Sequence, residues 1–113
     1  MDASGELTWI RVAKFADLPA DDVTRAETDG RAFAIYRIGD KVYASDDCCT
    51  HQEARLSDGF VIDDVIECPL HQGRFHIPTG QAKGAPVSVA LRTYPVRVAN
   101  GEVLVGISRD ERA

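Results

Sequence analysis

The stretch Asp47-Cys48-Cys49-Thr50-His51 places two adjacent cysteines close to one histidine, and Cys68-Pro69-Leu70-His71 repeats the combination further along the chain. Thiolates and imidazoles together are typical of transition-metal sites. Two of each, drawn equally from the two stretches, make a four-ligand set: Cys49, His51, Cys68 and His71. Both Zn²⁺ and an iron–sulfur cluster with mixed ligands accept such a set.

The order of the ligands distinguishes these two metals. A usual zinc finger has a cysteine pair followed by a histidine pair, whereas each stretch here supplies one cysteine and one histidine. That order lets one iron of a [2Fe–2S] cluster take both sulfurs and the other iron take both nitrogens. Cys48 also forms a Cys-x2-His with His51, so spacing alone leaves the first cysteine ligand open.

Size and composition predict one soluble globular domain over residues 1–113, with 44% hydrophobic and 27% charged residues. A net charge of −5 with scattered Lys and Arg argues against nucleic-acid binding. No secretory signal and no membrane-spanning apolar run are evident, so we expect a cytoplasmic protein that makes no contact with a membrane. In that compartment, cysteines bind metals more often than they form disulfides.

Short alternating segments predict an all-β fold. Strands are expected over residues 7–12, 31–38 and 41–44, with Phe33, Ile35 and Arg37 on one face of the second. Asn100-Gly101 predicts a tight hairpin near the end of the chain. A short helical turn, limited by Pro19, is expected within Phe15–Val23.

The middle of the chain, about residues 45–86, is rich in Asp, Gly, Pro, Cys and His. Within it, Phe60–Glu67 predicts a hairpin that turns at Asp63-Asp64 and brings the two Cys/His stretches together. We therefore expect a metal-binding lobe inserted in a β core. The pair Asp46-Asp47 is likewise predicted to be a turn, and His76 to be a loop or surface histidine outside the ligand set.

The two Cys/His stretches and the residues that follow them resemble a known family. "CTH" at 49–51 and "CPLH" at 68–71 are similar to the Rieske motif, and the resemblance continues through "RLSDGFVIDDVIECPLHQGRFHIPTGQAKGAPV" to "TYPVRVANGEVLV". It implies a Rieske-like fold of small antiparallel sheets and one [2Fe–2S] cluster. Cys49 and Cys68 would bind the inner iron, and His51 and His71 the outer iron near the surface. Gly80, Gly84 and Pro86 would belong to a third loop over the cluster, and Cys48 would be a buried bystander.

Departures from the Rieske subunits of respiratory complexes carry their own implications. Those subunits have one further cysteine in each loop. The comparable positions here are Ala54 or its neighbours in the first loop and Leu70 in the second, and neither loop has that cysteine, so no disulfide is expected. Gly73 and Phe75 replace two hydroxyl residues that donate hydrogen bonds to the cluster and its cysteines. Losing those hydrogen bonds disfavours the more negative reduced cluster, which predicts a reduction potential near the low end of the Rieske range, about −150 mV.

Within the family, the sequence is most similar to the small ferredoxins of bacterial aromatic-ring dioxygenase systems. That resemblance implies a monomer that carries single electrons from an NADH-dependent flavoprotein reductase to a terminal ring-hydroxylating oxygenase during aromatic hydrocarbon catabolism. Catalysis is not expected, because only His76 would remain for the 2-His-1-carboxylate iron site of an oxygenase. The alternatives are a Rieske-type small subunit of another reductase, such as nitrite reductase, and a structural zinc protein.

Overall fold

The computed structural model describes residues 7–28, 30–49, 54–69, 73–83 and 89–108. These ranges contain two short 3₁₀ helices, at Phe15–Asp17 and Leu56–Asp58, and no α-helix, so none of their helices has the length to cross a membrane. They also contain ten strands: β1 (Leu7–Lys14), β2 (Asp22–Thr28), β3 (Arg31–Ile38), β4 (Lys41–Asp46), β5 (Phe60–Ile62), β6 (Val65–Glu67), β7 (Arg74–His76), β8 (Thr93–Tyr94), β9 (Val96–Ala99) and β10 (Glu102–Ser108).

The strands form three antiparallel sheets, which confirms the predicted all-β class. The outer sheet has the order β1-β10-β9, and the middle sheet has the order β2-β3-β4-β8. The third sheet, β5-β6-β7, lies between β4 and β8 along the chain, as the predicted inserted lobe requires.

Two tight turns fall where the sequence predicts them. Asn100 and Gly101, with φ values of 54° and 77°, join β9 to β10, and Ala99 pairs with Glu102 across the turn. Asp63 has a φ of 55° at the turn between β5 and β6. Asn, Asp and Gly adopt this left-handed conformation more readily than other residues, so the turn residues set the register of both hairpins.

The middle sheet is buried on both faces, and β3 shows this most clearly. Phe33 and Ile35 contribute to an inter-sheet core made with the outer sheet, whose buried residues are Leu18, Ala26, Phe33, Ile35, Ala44, Tyr94, Val103, Val105 and Ile107. Ala34 and Tyr36 point to the opposite face, towards the lobe. The sequence predicted only the first face, because alanine gives a weak signal of burial.

The segment after β1 contains the predicted short helical turn, as a 3₁₀ helix that ends at Asp17, before Pro19. Strand β2, which begins at Asp22, was not predicted. Val23 and Ala26 are buried on opposite faces of β2. The charged residues between and beside them hid this strand from a search for simple alternation.

Candidate metal centre

Two loops of the lobe begin at cysteines with the same backbone arrangement. The N–H of Cys49 donates to the carbonyl of Ala54 at 2.9 Å, and the N–H of Cys68 donates to the carbonyl of Gly73 at 2.6 Å. In both cases the acceptor is the fifth residue after the cysteine. The two loops therefore present their cysteines in equivalent positions. His51 and His71, the two predicted imidazole ligands, lie outside the described residues.

Both of these cysteines are buried in a single apolar core between the middle sheet and the lobe. Cys49 is 4% exposed and Cys68 is 1% exposed. This cysteine core consists of Val23, Ala34, Tyr36, Cys49, Leu56, Ile66, Cys68, Phe75, Ile77 and Leu91. None of the three cysteines forms a disulfide. Two buried thiols in one apolar core fit the inner iron of a [2Fe–2S] cluster.

Cys48 occupies a different environment. It was predicted to be buried, but it is exposed, and its thiol donates to the carbonyl of Cys49 at 3.6 Å. An isolated bridge between Cys48 and Arg55 continues the stem of the first loop. Burial at this position was predicted because small thiols are common in protein interiors, but the stem turns this side chain outwards. Cys49, not Cys48, therefore matches Cys68.

The pair Asp46-Asp47 is not a turn. Asp46 ends β4 and accepts a hydrogen bond from the Tyr94 hydroxyl at 2.5 Å. Asp47 is 2% exposed, and its carboxylate binds the guanidinium of Arg25 and both the N–H and the hydroxyl of Ser57. The prediction was wrong because these partners are distant in sequence, and a charged pair of residues is usually found on the surface.

His76 lies at the end of β7, not in a loop, and both of its ring nitrogens have partners. Nδ1 lies 2.8 Å from the Thr79 hydroxyl, and Nε2 lies 3.0 Å from a carboxylate oxygen of Asp64. Asp64 belongs to the β5–β6 turn, so this histidine ties that turn to the end of β7. With neither nitrogen free, His76 fits its predicted place outside the ligand set.

Gly80 shows where the third loop is anchored. Its φ of 77° favours glycine, and a Cβ placed there would lie 2.5 Å from the carbonyl of Leu91. The N–H of Leu91 donates to the carbonyl of Gly80 at 2.8 Å, so the two residues close the base of the segment between them. Gly84 and Pro86, also predicted in this loop, lie outside the described residues.

Gly73 and Phe75 lie beside the cysteines and carry no hydroxyl group. They stand at the two positions where hydroxyl residues are expected in high-potential Rieske proteins. Gly73 accepts the hydrogen bond of Cys68 through its carbonyl, and Phe75 is fully buried in the cysteine core. Tyr36, which also belongs to this core, is hydrogen-bonded to Ser45 at 2.8 Å. Burial raises the pKa of Tyr36 above its ordinary value, which keeps this phenol neutral.

Known proteins with similar sequences also point to a metal centre held by these two loops. The Rieske [2Fe-2S] domain family matches residues 8–95 of the chain. The ferredoxin component of the naphthalene 1,2-dioxygenase system of Pseudomonas putida is 42% identical over 100 residues, covering 88% of this chain and 96% of that protein.

Solved structures of ferredoxin and reductase components are also similar to this chain. A chain in the complex of reduced oxygenase and oxidized ferredoxin of carbazole 1,9a-dioxygenase is 41% identical with a TM-score of 0.81, covering 86% of this chain and 91% of that one. A putative nitrite reductase small subunit is 26% identical with a TM-score of 0.76, covering 88% of this chain and 98% of that one. The chain therefore belongs to the Rieske [2Fe–2S] domain family, whose cofactor is one [2Fe–2S] cluster.

Proposed function

We propose that this protein is the ferredoxin of an aromatic-ring dioxygenase system, a carrier of single electrons to a terminal oxygenase. The equivalence of the Cys49 and Cys68 loops within one buried core is the observation that carries this proposal. Ferredoxin components of naphthalene and anthranilate dioxygenase systems, 42% and 38% identical to this chain, support it further.

The proposed ligands have distinct roles. Cys49 and Cys68 would hold the inner iron in the cysteine core, and His51 and His71 would hold the outer iron. When bound, a [2Fe–2S] cluster supplies reversible one-electron chemistry. The apolar side chains of Leu56, Ile66 and Phe75 pack around the cysteines and exclude water from their sulfurs. Because an apolar environment disfavours the more negative reduced cluster, we propose a reduction potential of about −150 mV.

The protein itself is a carrier and not a catalyst. The chain has three histidines, two of which are assigned to the cluster. The third, His76, is hydrogen-bonded through both ring nitrogens to Thr79 and Asp64. A 2-His-1-carboxylate iron site therefore cannot be assembled from this chain, and activation of oxygen belongs to a separate component.

Two partners follow from this role, an NADH-dependent flavoprotein reductase and a terminal ring-hydroxylating oxygenase. The carbazole dioxygenase ferredoxin, 41% identical to this chain, has been solved in complex with its oxygenase. Redox partners usually meet through small, transient contacts, which suits a cytoplasmic monomer that must dock twice in each cycle. The net charge of −5 would favour encounter with basic surfaces on those partners.

The similarity to a putative nitrite reductase small subunit favours one other function, that of a Rieske subunit attached to another reductase. The two functions differ in association. A dioxygenase ferredoxin is isolated alone and serves a separate oxygenase, whereas a small subunit stays bound to its large subunit and supports nitrite reduction.

The test starts from the purified full chain. We expect two irons and two acid-labile sulfides per chain, and a Rieske-type EPR signal after reduction. In a mixture of NADH, oxygen, an aromatic hydrocarbon, a flavoprotein reductase and a ring-hydroxylating oxygenase, conversion of the hydrocarbon to its dihydrodiol should require this protein. One zinc per chain with no iron would contradict the proposal, as would electron delivery only to a nitrite reductase.

A further inference from the structure

An ion pair with a buried carboxylate lies beside the first cysteine loop. Nη1 of Arg25 donates to Oδ2 of Asp47 at 2.5 Å, and the exposed fractions of the two side chains are 28% and 3%. The Asp47 carboxylate also accepts the N–H of Ser57 at 2.8 Å and its hydroxyl at 3.0 Å. Arg25 belongs to β2, and Ser57 to the 3₁₀ helix after the loop, so one carboxylate joins three segments.

The backbone of Asp47 adds to this connection. Its carbonyl accepts the N–H of Leu56 at 2.7 Å, one step along the stem from the hydrogen bond between Cys49 and Ala54. The stem that presents Cys49 is therefore held at its base by Asp47, and through Arg25 it is fixed to the middle sheet. Ser57 and Leu56 lie on the far side of the same loop.

The charge of Asp47 acts on the cysteine core as well. Tyr36 belongs to that core together with Cys49 and Cys68. Its pKa is raised mainly by burial, and the negative charges of Asp47 and Asp46 raise it further. The hydrogen bond from Arg25 to Asp47 in turn raises the pKa of that guanidinium.

We propose that Arg25 and Asp47 act on the reduction potential of the metal centre in opposite directions, with Asp47 as the positioning residue of the first loop and Arg25 as the compensating charge. This inference rests on the proposed function, because it requires a cluster at Cys49 and Cys68. Reduction adds one negative charge, which a nearby anion disfavours and a nearby cation favours. The Asp47 carboxylate is buried and the Arg25 side chain is 28% exposed, so salt screens this pair less than a fully exposed pair. Each member shifts the potential in the opposite direction, and in the intact pair the two effects largely cancel.

Two neutralising variants of the full chain test the proposal by the direction of the shift. Asp47→Asn leaves Arg25 paired, among the described residues, only with the exposed carboxylate of Glu27, at 3.2 Å, and should raise the midpoint potential. Arg25→Gln leaves the buried Asp47 without its guanidinium partner and should lower the midpoint potential. We expect a three- to tenfold change in the equilibrium constant for reduction in each direction, about 30–60 mV for one electron. The double variant should return close to the wild-type potential, and Arg25→Lys should remain close to it.

A matched control comes from Arg11 and Glu102, an ion pair at 2.6 Å whose side chains are about half exposed. It lies on the outer sheet, which contributes no described residue to the cysteine core. Arg11→Gln and Glu102→Gln remove the same charges and should leave the potential unchanged. If Asp47→Asn prevents loading of the cluster, the proposal is tested with the other residue of the pair. The midpoint potential of Arg25→Gln should then be lower than that of Arg25→Lys, which keeps the positive charge.

The outcomes separate this inference from the proposed function. Iron, sulfide and the EPR signal of the wild type test the function, and their absence overturns both claims. With the wild-type cluster present, opposite shifts that cancel in the double variant support the charge pair. Shifts of the same sign, or shifts no larger than those of the Arg11 and Glu102 variants, overturn it even though the carrier function stands.

Discussion

Replacing Gly80 by alanine should destabilise the base of the third loop more than the same change at Gly101 destabilises its hairpin turn. Both glycines have a φ of 77°, so alanine pays the cost of a left-handed conformation at each, about 1–2 kcal/mol. At Gly101 a new Cβ has no neighbour within 4 Å. At Gly80 it would lie 2.5 Å from the Leu91 carbonyl oxygen and 2.9 Å from the Thr93 methyl group.

The contact with Leu91 is with backbone, so the chain itself must move to admit the methyl group. That movement strains the hydrogen bond from the Leu91 N–H to the Gly80 carbonyl, which contributes about 0.5–1.5 kcal/mol. Gly80→Ala should therefore cost about 1.5–3.5 kcal/mol in total. For a domain of this size, each kcal/mol corresponds to about 4–8 °C in melting temperature.

The assay is thermal unfolding of cluster-loaded protein, followed by circular dichroism and by loss of visible absorption. Because cluster loss makes unfolding irreversible, both variants and the wild type are compared at one scan rate. Gly101→Ala should melt about 4–16 °C below the wild type, and Gly80→Ala lower still. Equal losses for the two variants would refute the claim that close packing against Leu91 makes Gly80 necessary.

Three other predictions use single side chains. Phe75→Tyr should raise the midpoint potential measured by redox titration, because it restores a hydroxyl in the cysteine core, and an unchanged potential would count against the role of that missing donor. His76→Gln should lower the free energy of unfolding by about 0.5–1.5 kcal/mol while iron and sulfide content stay at wild-type levels, and loss of iron would show that His76 is a ligand. The folded-state pKa of Tyr36 lies above its ordinary value of 10.0, so its contribution to stability is complete below about pH 10 and is lost as the pH rises beyond it. Denaturation across that range should therefore show a flatter alkaline decline for Tyr36→Phe, and an identical decline would contradict this.

The parts of the fold that depend on local sequence were predictable. The Asn100-Gly101 and Asp63-Asp64 turns, strand β3 and the inserted lobe all follow from turn chemistry and alternation. The short strand β7 and the charged strand β2 carry no such pattern. Their pairing depends on partners elsewhere in the chain, which alternation cannot reveal.

The candidate site divides in the same way. The ligand spacing and its resemblance to the Rieske motif were present in the sequence. The predictions that Asp47 is a turn residue and that Cys48 is buried were wrong. Asp47 is buried because Arg25, 22 residues away, neutralises it, and Cys48 is exposed because of the pairing between Cys48 and Arg55. Both depend on tertiary contacts that residue type alone does not predict.

The central claim is that Cys49, and not its neighbour Cys48, binds the cluster together with Cys68. Iron and acid-labile sulfide per chain, measured on purified Cys49→Ser and Cys48→Ser, test it most directly. We expect no cluster and no Rieske EPR signal for Cys49→Ser, and two irons, two sulfides and an unchanged signal for Cys48→Ser. Loss of the cluster in Cys48→Ser with retention in Cys49→Ser would contradict it.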